Sequence, residues 1–269
     1  MASSSSGLNP SKSPSAPKKS MLPATDVQRF RKKLDEFLNS KDNEDRVIGA
    51  ATWGVYAFYD FDGEPIYVGQ TKESLRVRVR RHLTNQRTDA VAMRVLDVME
   101  VSEVEIWPLW DLQTLGRINK KLAQSKLDEY EYSAYLNAIE TSKFHAILNE
   151  KIPPRSNRVQ LPSSHRGSVI DQQDIAFLGH PDIRIARRAE TISRLADVIR
   201  ERGEVSDGLR RVLTIQAIRL THLSAERLAY AEGRPKPMAS SIDSNQLLGS
   251  VLEETTDEPN LLESENPSD

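Results

Sequence analysis

Residues 54–82 read GVYAFYDFDGEPIYVGQTKESLRVRVRRH, and this stretch decides the fold. Two short apolar segments, 55–59 and 66–69, flank the turn-rich Asp60-Phe61-Asp62-Gly63-Glu64-Pro65. Aromatic and β-branched residues on both sides of an Asp-Gly signal predict a β-hairpin. Each strand carries one tyrosine of interest, Tyr56 and Tyr67. Gly69 has no Cβ, so the chain leaves the second strand at close backbone approach. A basic run follows that is predicted to be helical. Its Arg78 and His82 are four residues apart, on one helical face.

Outward from the hairpin, helical spacing dominates. Thr25 and Gln28 predict a capping box for a helix at 26–39, with Val27, Phe30, Leu34, Phe37 and Leu38 as one apolar stripe. A polar connector at 41–45 leads to the hairpin. Beyond it come a polar loop at 84–89, a short helix at 90–96 and a strand at 101–109, whose apolar and polar residues alternate up to Pro108. A helix at 125–139 then covers the sheet with Leu127, Tyr130, Ala134 and Ala138. Pro153-Pro154 is a firm stop. Two amphipathic helices near 182–202 and 207–231 predict an αα-hairpin, with Gly203 and Ser206 as stop and cap between them. Such a pair buries little alone, so it must pack on the preceding domain or on another chain.

The resulting expectation is an α/β protein of the α+β type, with a small three-stranded antiparallel sheet flanked by helices. Its parts are a disordered tail at 1–24, a helix and connector at 25–46, and a sheet domain at 47–155. A linker at 156–180, a helical hairpin at 181–234 and a disordered acidic tail at 235–269 complete it.

Composition sets the class. No apolar run approaches the roughly 18 residues of a membrane span, and no signal peptide is recognisable, which predicts a cytoplasmic protein. The chain has no cysteine, which removes disulfides, thiolate nucleophiles and cysteine-based zinc sites. The net charge of −2 conceals an asymmetry: residues 240–269 hold eight acids and no Lys or Arg. Without these eight negatives, residues 1–239 carry +6, a balance that favours a polyanionic partner.

Gly54-Val55-Tyr56, ten residues, then Tyr67-Val68-Gly69, with Arg78 and His82 downstream, resembles the motif of the GIY-YIG nucleases. Valine replaces isoleucine in both tripeptides, and the resemblance covers roughly residues 47–155. It implies a divalent-metal-dependent endonuclease acting on DNA, with RNA left open, and Mg²⁺ (or Mn²⁺) as cofactor. It implies that Tyr56 activates water and that Arg78 and His82 stabilise the phosphate and assist proton transfer; Tyr67 either orients the nucleophile or phosphate through its hydroxyl or simply packs. A helical glutamate would hold the metal, and Asn149 would fix the following loop against the site, with Gly54 and Gly69 shaping it. Arg76, Arg80, Arg81 and Arg87 would contact non-scissile phosphates.

Glu129, Glu131 and Glu140 compete for the metal. Glu131 lies beside the buried stripe, Glu129 shares a face with Ser125 and Ser133, and Glu140 has Lys143 on its face; Glu131 is therefore preferred. Two rival readings stand beside the nuclease. One is a catalytically idle nucleic-acid-binding module on the same basic surface. The other makes the helical hairpin and acidic tail a protein-interaction platform, including a homodimer.

Overall fold

The computed structural model describes residues 23–84 and 95–252. Among these, four antiparallel strands form one sheet: β1 (Gly54–Tyr59), β2 (Pro65–Thr71), β3 (Glu103–Pro108) and β4 (His165–Ser168), in the spatial order β2-β1-β3-β4. The helices packed around it are α1 (Thr25–Leu38), α2 (Leu75–Thr84), α3 (Trp110–Ile118), α4 (Lys120–Thr141), α5 (Gln172–Leu178), α6 (Pro181–Arg202), α7 (Asp207–Ala231) and α8 (Ser244–Leu248).

The hairpin forms where its turn chemistry places it. Gly63 adopts φ +70°, the left-handed conformation an Asp-Gly turn supplies at low cost. The Asp60 carboxylate accepts hydrogen bonds from the Asp62 and Glu64 amides at 2.9 and 3.1 Å, which closes the turn from within. In the ladder, Tyr56 faces Gly69, Ala57 faces Val68 and Phe58 faces Tyr67. The other edge of β1 pairs with β3, so Tyr56 lies on a central strand.

Alternation along β1 divides the core. Tyr56 and Phe58 join Leu34, Leu75, Val79, Leu195, Leu209, Val212 and Ile215 on one side. Val55, Ala57 and Val68 join Trp107, Leu127, Ala134 and Tyr135 on the other. Each fully buried aliphatic or aromatic side chain contributes about 1.5–3 kcal/mol, so both layers are needed to hold the thin sheet.

Several expectations change. The sheet has a fourth strand, supplied from within 156–180, the stretch read as a linker. Its sequence, HRGS, lacks the apolar alternation that marks a buried strand. It is held instead by the backbone ladder, by an Arg166–Glu103 ion pair and by the Arg166 guanidinium 3.6 Å above the Tyr59 ring. α5 also lies in that stretch. The α1 capping box does not form: Ala24 is the N-cap and no side chain caps the helix, while Gln28 turns back to the Pro23 carbonyl. α3 was not anticipated, and α4 begins five residues earlier than expected. Residues 235–252, read as the start of a disordered tail, include α8, and the Val251 carbonyl accepts a hydrogen bond from the Tyr135 hydroxyl. The tails at 1–22 and 253–269, the loop at 85–89 and most of the expected helix at 90–96 lie outside the described residues. Among the described residues no helix is long and apolar enough to cross a membrane.

Candidate active site

The site is assembled at the β1–β2 ladder by α2 on one side and α4 on the other. α2 docks on the start of β1: the Leu75 amide donates to the Ala51 carbonyl at 2.9 Å, and a Cβ on Gly54 would meet Leu75 Cδ1 at 2.7 Å and the Trp107 carbonyl at 2.9 Å. This seating brings Arg78 and His82, one turn apart, over the tyrosine face of the sheet. Arg78 Nε donates to the Tyr56 hydroxyl at 3.1 Å. The His82 ring stands edge-on to Tyr56 and Tyr67, with centroids at 5.7 and 5.2 Å. The two phenol rings stack across the ladder at 6.2 Å.

Gly69 has a steric task here. A Cβ at that position would fall 2.6 Å from the Tyr56 hydroxyl oxygen and 3.1 Å from Tyr67 Cε1. Only a glycine opposite Tyr56 leaves its ring room to lie over the strand.

Asn149 clamps the edge strand. Its Oδ1 accepts from the Val68 amide at 3.0 Å, and its Nδ2 donates to the Val68 carbonyl at 2.8 Å. The Leu148 amide adds a bond to the Ile66 carbonyl at 2.8 Å. The β2 edge is thereby covered between the two residues that matter most on it, Tyr67 and Gly69.

The three candidate carboxylates separate. Glu140 forms an exposed ion pair with Arg158, and Glu129 accepts from Asn157 at 3.1 Å, so both are occupied elsewhere. Glu131 alone of the three lies in the field of Tyr56, Tyr67 and Arg78, and it engages Gln70. Gln70 and Gln124 both donate to Asp128 Oδ1, at 2.8 and 2.6 Å. Sequence reasoning missed Gln70 and Asp128. The signals were Gln70 directly after the Tyr-Val-Gly tripeptide and Asp128 one helical turn before Glu131.

Electrostatics follow from burial. Tyr56 has no exposed surface, and loss of water raises its phenol, although the Arg78 cation pulls the other way. Burial also raises Tyr67 well above the ordinary value. His82 is lowered to about 4, first by burial and then by the Arg78 and Arg81 charges. Glu131 is raised to about 7, chiefly by burial. At neutral pH the free protein thus holds two neutral phenols and a neutral imidazole beneath one guanidinium.

The expected phosphate-contacting arginines are occupied within the protein. Arg76 reaches the side chain of Asn39 and the Leu38 carbonyl, Arg80 lies 3.4 Å from Asp35, and Arg81 pairs with Glu73. Arg87 lies outside the described residues.

A comparison with protein families matches residues 52–133 to the GIY-YIG catalytic domain. Comparisons with curated proteins and with solved structures gave no match. The matched segment spans less than half of the 269 residues, yet it contains Tyr56, Tyr67, Arg78, His82 and Glu131. A nuclease domain has a nucleic acid as its substrate. On its motif, its sheet and this match, the chain carries, at residues 52–133, a catalytic domain of the GIY-YIG nuclease family.

Proposed function

We propose that this protein is a divalent-metal-dependent endonuclease that hydrolyses phosphodiester bonds in DNA. The observation that carries the reading is the Arg78–Tyr56 hydrogen bond at 3.1 Å, in the field of the Glu131 carboxyl. Arg78 engages Tyr56 through Nε, which leaves its paired terminal nitrogens to grip a phosphate in two-pronged fashion. A phosphate so held sits beside the Tyr56 hydroxyl, where the attacking water must be oriented. The Tyr67 ring stacks against Tyr56, with centroids 6.2 Å apart. The neutral His82 ring, edge-on to both phenols, is the proton acceptor nearest to them on α2.

The residues around Glu131 fit a hydrated hard cation. The side-chain oxygens of Gln70 and Gln124 are buried acceptors with no donor, beside the carboxylates of Asp128 and Glu131. Such a corner favours waters carried by Mg²⁺ or Mn²⁺, which need only one or two protein carboxylates. Among the described residues no group of three or more His, Cys, Asp or Glu is placed to enclose a metal. Glu131 would hold the ion, which when bound supplies positive charge to the phosphate and the leaving oxygen.

The test is plasmid nicking by purified protein with Mg²⁺. Tyr56→Phe and Glu131→Gln should each lower cleavage by 100-fold or more, while binding of DNA persists. Wild-type cleavage that survives both changes would remove this site. The complete burial of Tyr56 favours a second reading, the idle binding module. Pure wild type that binds DNA and cuts neither DNA nor RNA would establish that reading instead.

A further inference from the structure

We infer that the substrate backbone lies on the elbow between α3 and α4, with Arg117, Lys120, Lys121 and Lys126 together with Lys72 as its phosphate contacts, and not on the arginine-rich face of α2. The inference deepens the nuclease reading and rests on it. Residues 112–127 carry these four cations and no acid, so the elbow is a purely basic segment at the start of the helix that bears Glu131. Arg117, Lys120, Lys121, Lys126 and Lys72 are all exposed, and none has an acidic partner among the described residues. The α2 arginines differ, because Arg76, Arg80 and Arg81 are each engaged by another part of the protein. A cation already paired releases little on meeting a phosphate; an unpaired one releases a counterion and gains the full contact.

Geometry joins the elbow to the site. Lys120, Gln124 and Glu131 follow one another along one stripe of α4. Eleven residues separate Lys120 from Glu131, about 16 Å of helix at 1.5 Å per residue. A nucleic-acid strand advances about 3.4 Å per nucleotide, so the path spans about five nucleotides. Lys72, exposed just past the end of β2, follows Gln70 by two residues in the chain.

The elbow is also held firmly. A Cβ on Gly116 would meet Trp53 Cζ2 at 2.9 Å, so α3 rests directly on the residue preceding β1. Asn119 caps α4 by accepting from the Leu122 amide at 3.0 Å. Ile118, 80% exposed at the tip, offers an apolar contact to a sugar or base face.

The experiment measures binding of a fluorescent 30-base-pair duplex by the full chain in EDTA, from 50 to 200 mM salt. Lys120→Gln combined with Lys121→Gln should weaken binding about tenfold or more and lower the salt slope by about 2, since each phosphate contact contributes about 0.9. Arg80→Gln combined with Arg81→Gln should change the slope by less. An unchanged slope in the elbow variant, with a large loss in the α2 variant, overturns the inference while leaving the nuclease reading intact. Wild type that neither binds nor cuts removes both. Both lysines are exposed, so a folding defect is not expected, and a thermal melt of the variant checks this. An elbow variant that cuts normally but no longer captures an acidic peptide would reassign the patch to a protein partner.

Discussion

His82 and Glu131 stand within one site, and burial moves them in opposite directions. The folded His82 titrates near 4, against about 6.5 for a free histidine. Below pH 6.5 the unfolded chain takes a proton that the native ring refuses, so this residue costs stability as pH falls toward 4. Glu131 titrates near 7 when folded, against 4.5 in the unfolded chain. Its contribution is full below 4.5 and is lost as pH rises through 7. The two terms oppose each other in the same window, so the wild-type curve alone hides both. His82→Asn removes one of them. Relative to wild type, this variant should gain about 2 kcal/mol between pH 7.5 and pH 4.5, read from urea unfolding at the two values. A constant difference would mean that the imidazole is not held neutral. His82 was readable as a candidate because the Gly-Tyr, Tyr-Gly and Arg/His spacings are local, whereas Glu131 stood only as one of three competing helical glutamates. The burial that lowers His82 and raises Glu131 was not readable, because it arises only once the sheet and its helices have packed together.

Among the elements, the β1–β2 turn does more than reverse the chain. Asp60, 2% exposed, accepts from Arg184 at 3.2 Å, Arg188 at 2.9 Å and Arg219 at 2.9 Å. Glu100 accepts from Arg184, Arg187 and Arg188 close by. Burial alone would push the Asp60 carboxyl up; the Arg219, Arg188 and Arg184 cations outweigh it and hold it below the usual range. Two small cavities lie along this network, lined by Arg188 and Arg219. The spacing of Arg184, Arg187 and Arg188 was visible as one face of α6, but an arginine face reads as solvated when its acids lie in a distant turn. Removing one partner of a buried ionic group leaves the others uncompensated, at a cost of about 3–5 kcal/mol. Asp60→Asn should therefore lower unfolding stability by that amount. Asp182→Asn, which breaks an exposed pair with Arg227, should cost less than about 1 kcal/mol. Equal effects of the two changes on denaturant midpoint would show that the cluster carries no special weight.

At the scale of the molecule, the helical hairpin and the sheet share one interior. Leu195, Val198, Leu209, Val212 and Ile215 from α6 and α7 pack in the same cluster as Tyr56, Phe58, Ile66 and Val79. The αα-hairpin itself was legible from its apolar spacing, its Gly203 stop and its Ser206 cap, and so was its need for a partner surface. The identity of that surface was not, because it depends on Asp60, Glu100 and the back of the tyrosine face meeting in space. β4 was hidden for a related reason: an edge strand reading HRGS gains its place from the backbone ladder of β3 and from Tyr59, not from its own hydrophobicity. The family match ends at residue 133, which suggests a catalytic unit that could be cut out, but the packing argues against it. A fragment of residues 23–155 would expose Tyr56, Phe58, Ile66 and Val79 to water on the α6–α7 side and strip Asp60 and Glu100 of Arg184, Arg187, Arg188 and Arg219. Trp53, Trp107 and Trp110 all remain in such a fragment and report on its packing through near-ultraviolet circular dichroism. The fragment should retain far-ultraviolet signal from its helices, lose the near-ultraviolet bands and melt without a cooperative transition. A cooperative melt within a few degrees of the full chain would show that the nuclease domain stands alone and that the hairpin is an appendage.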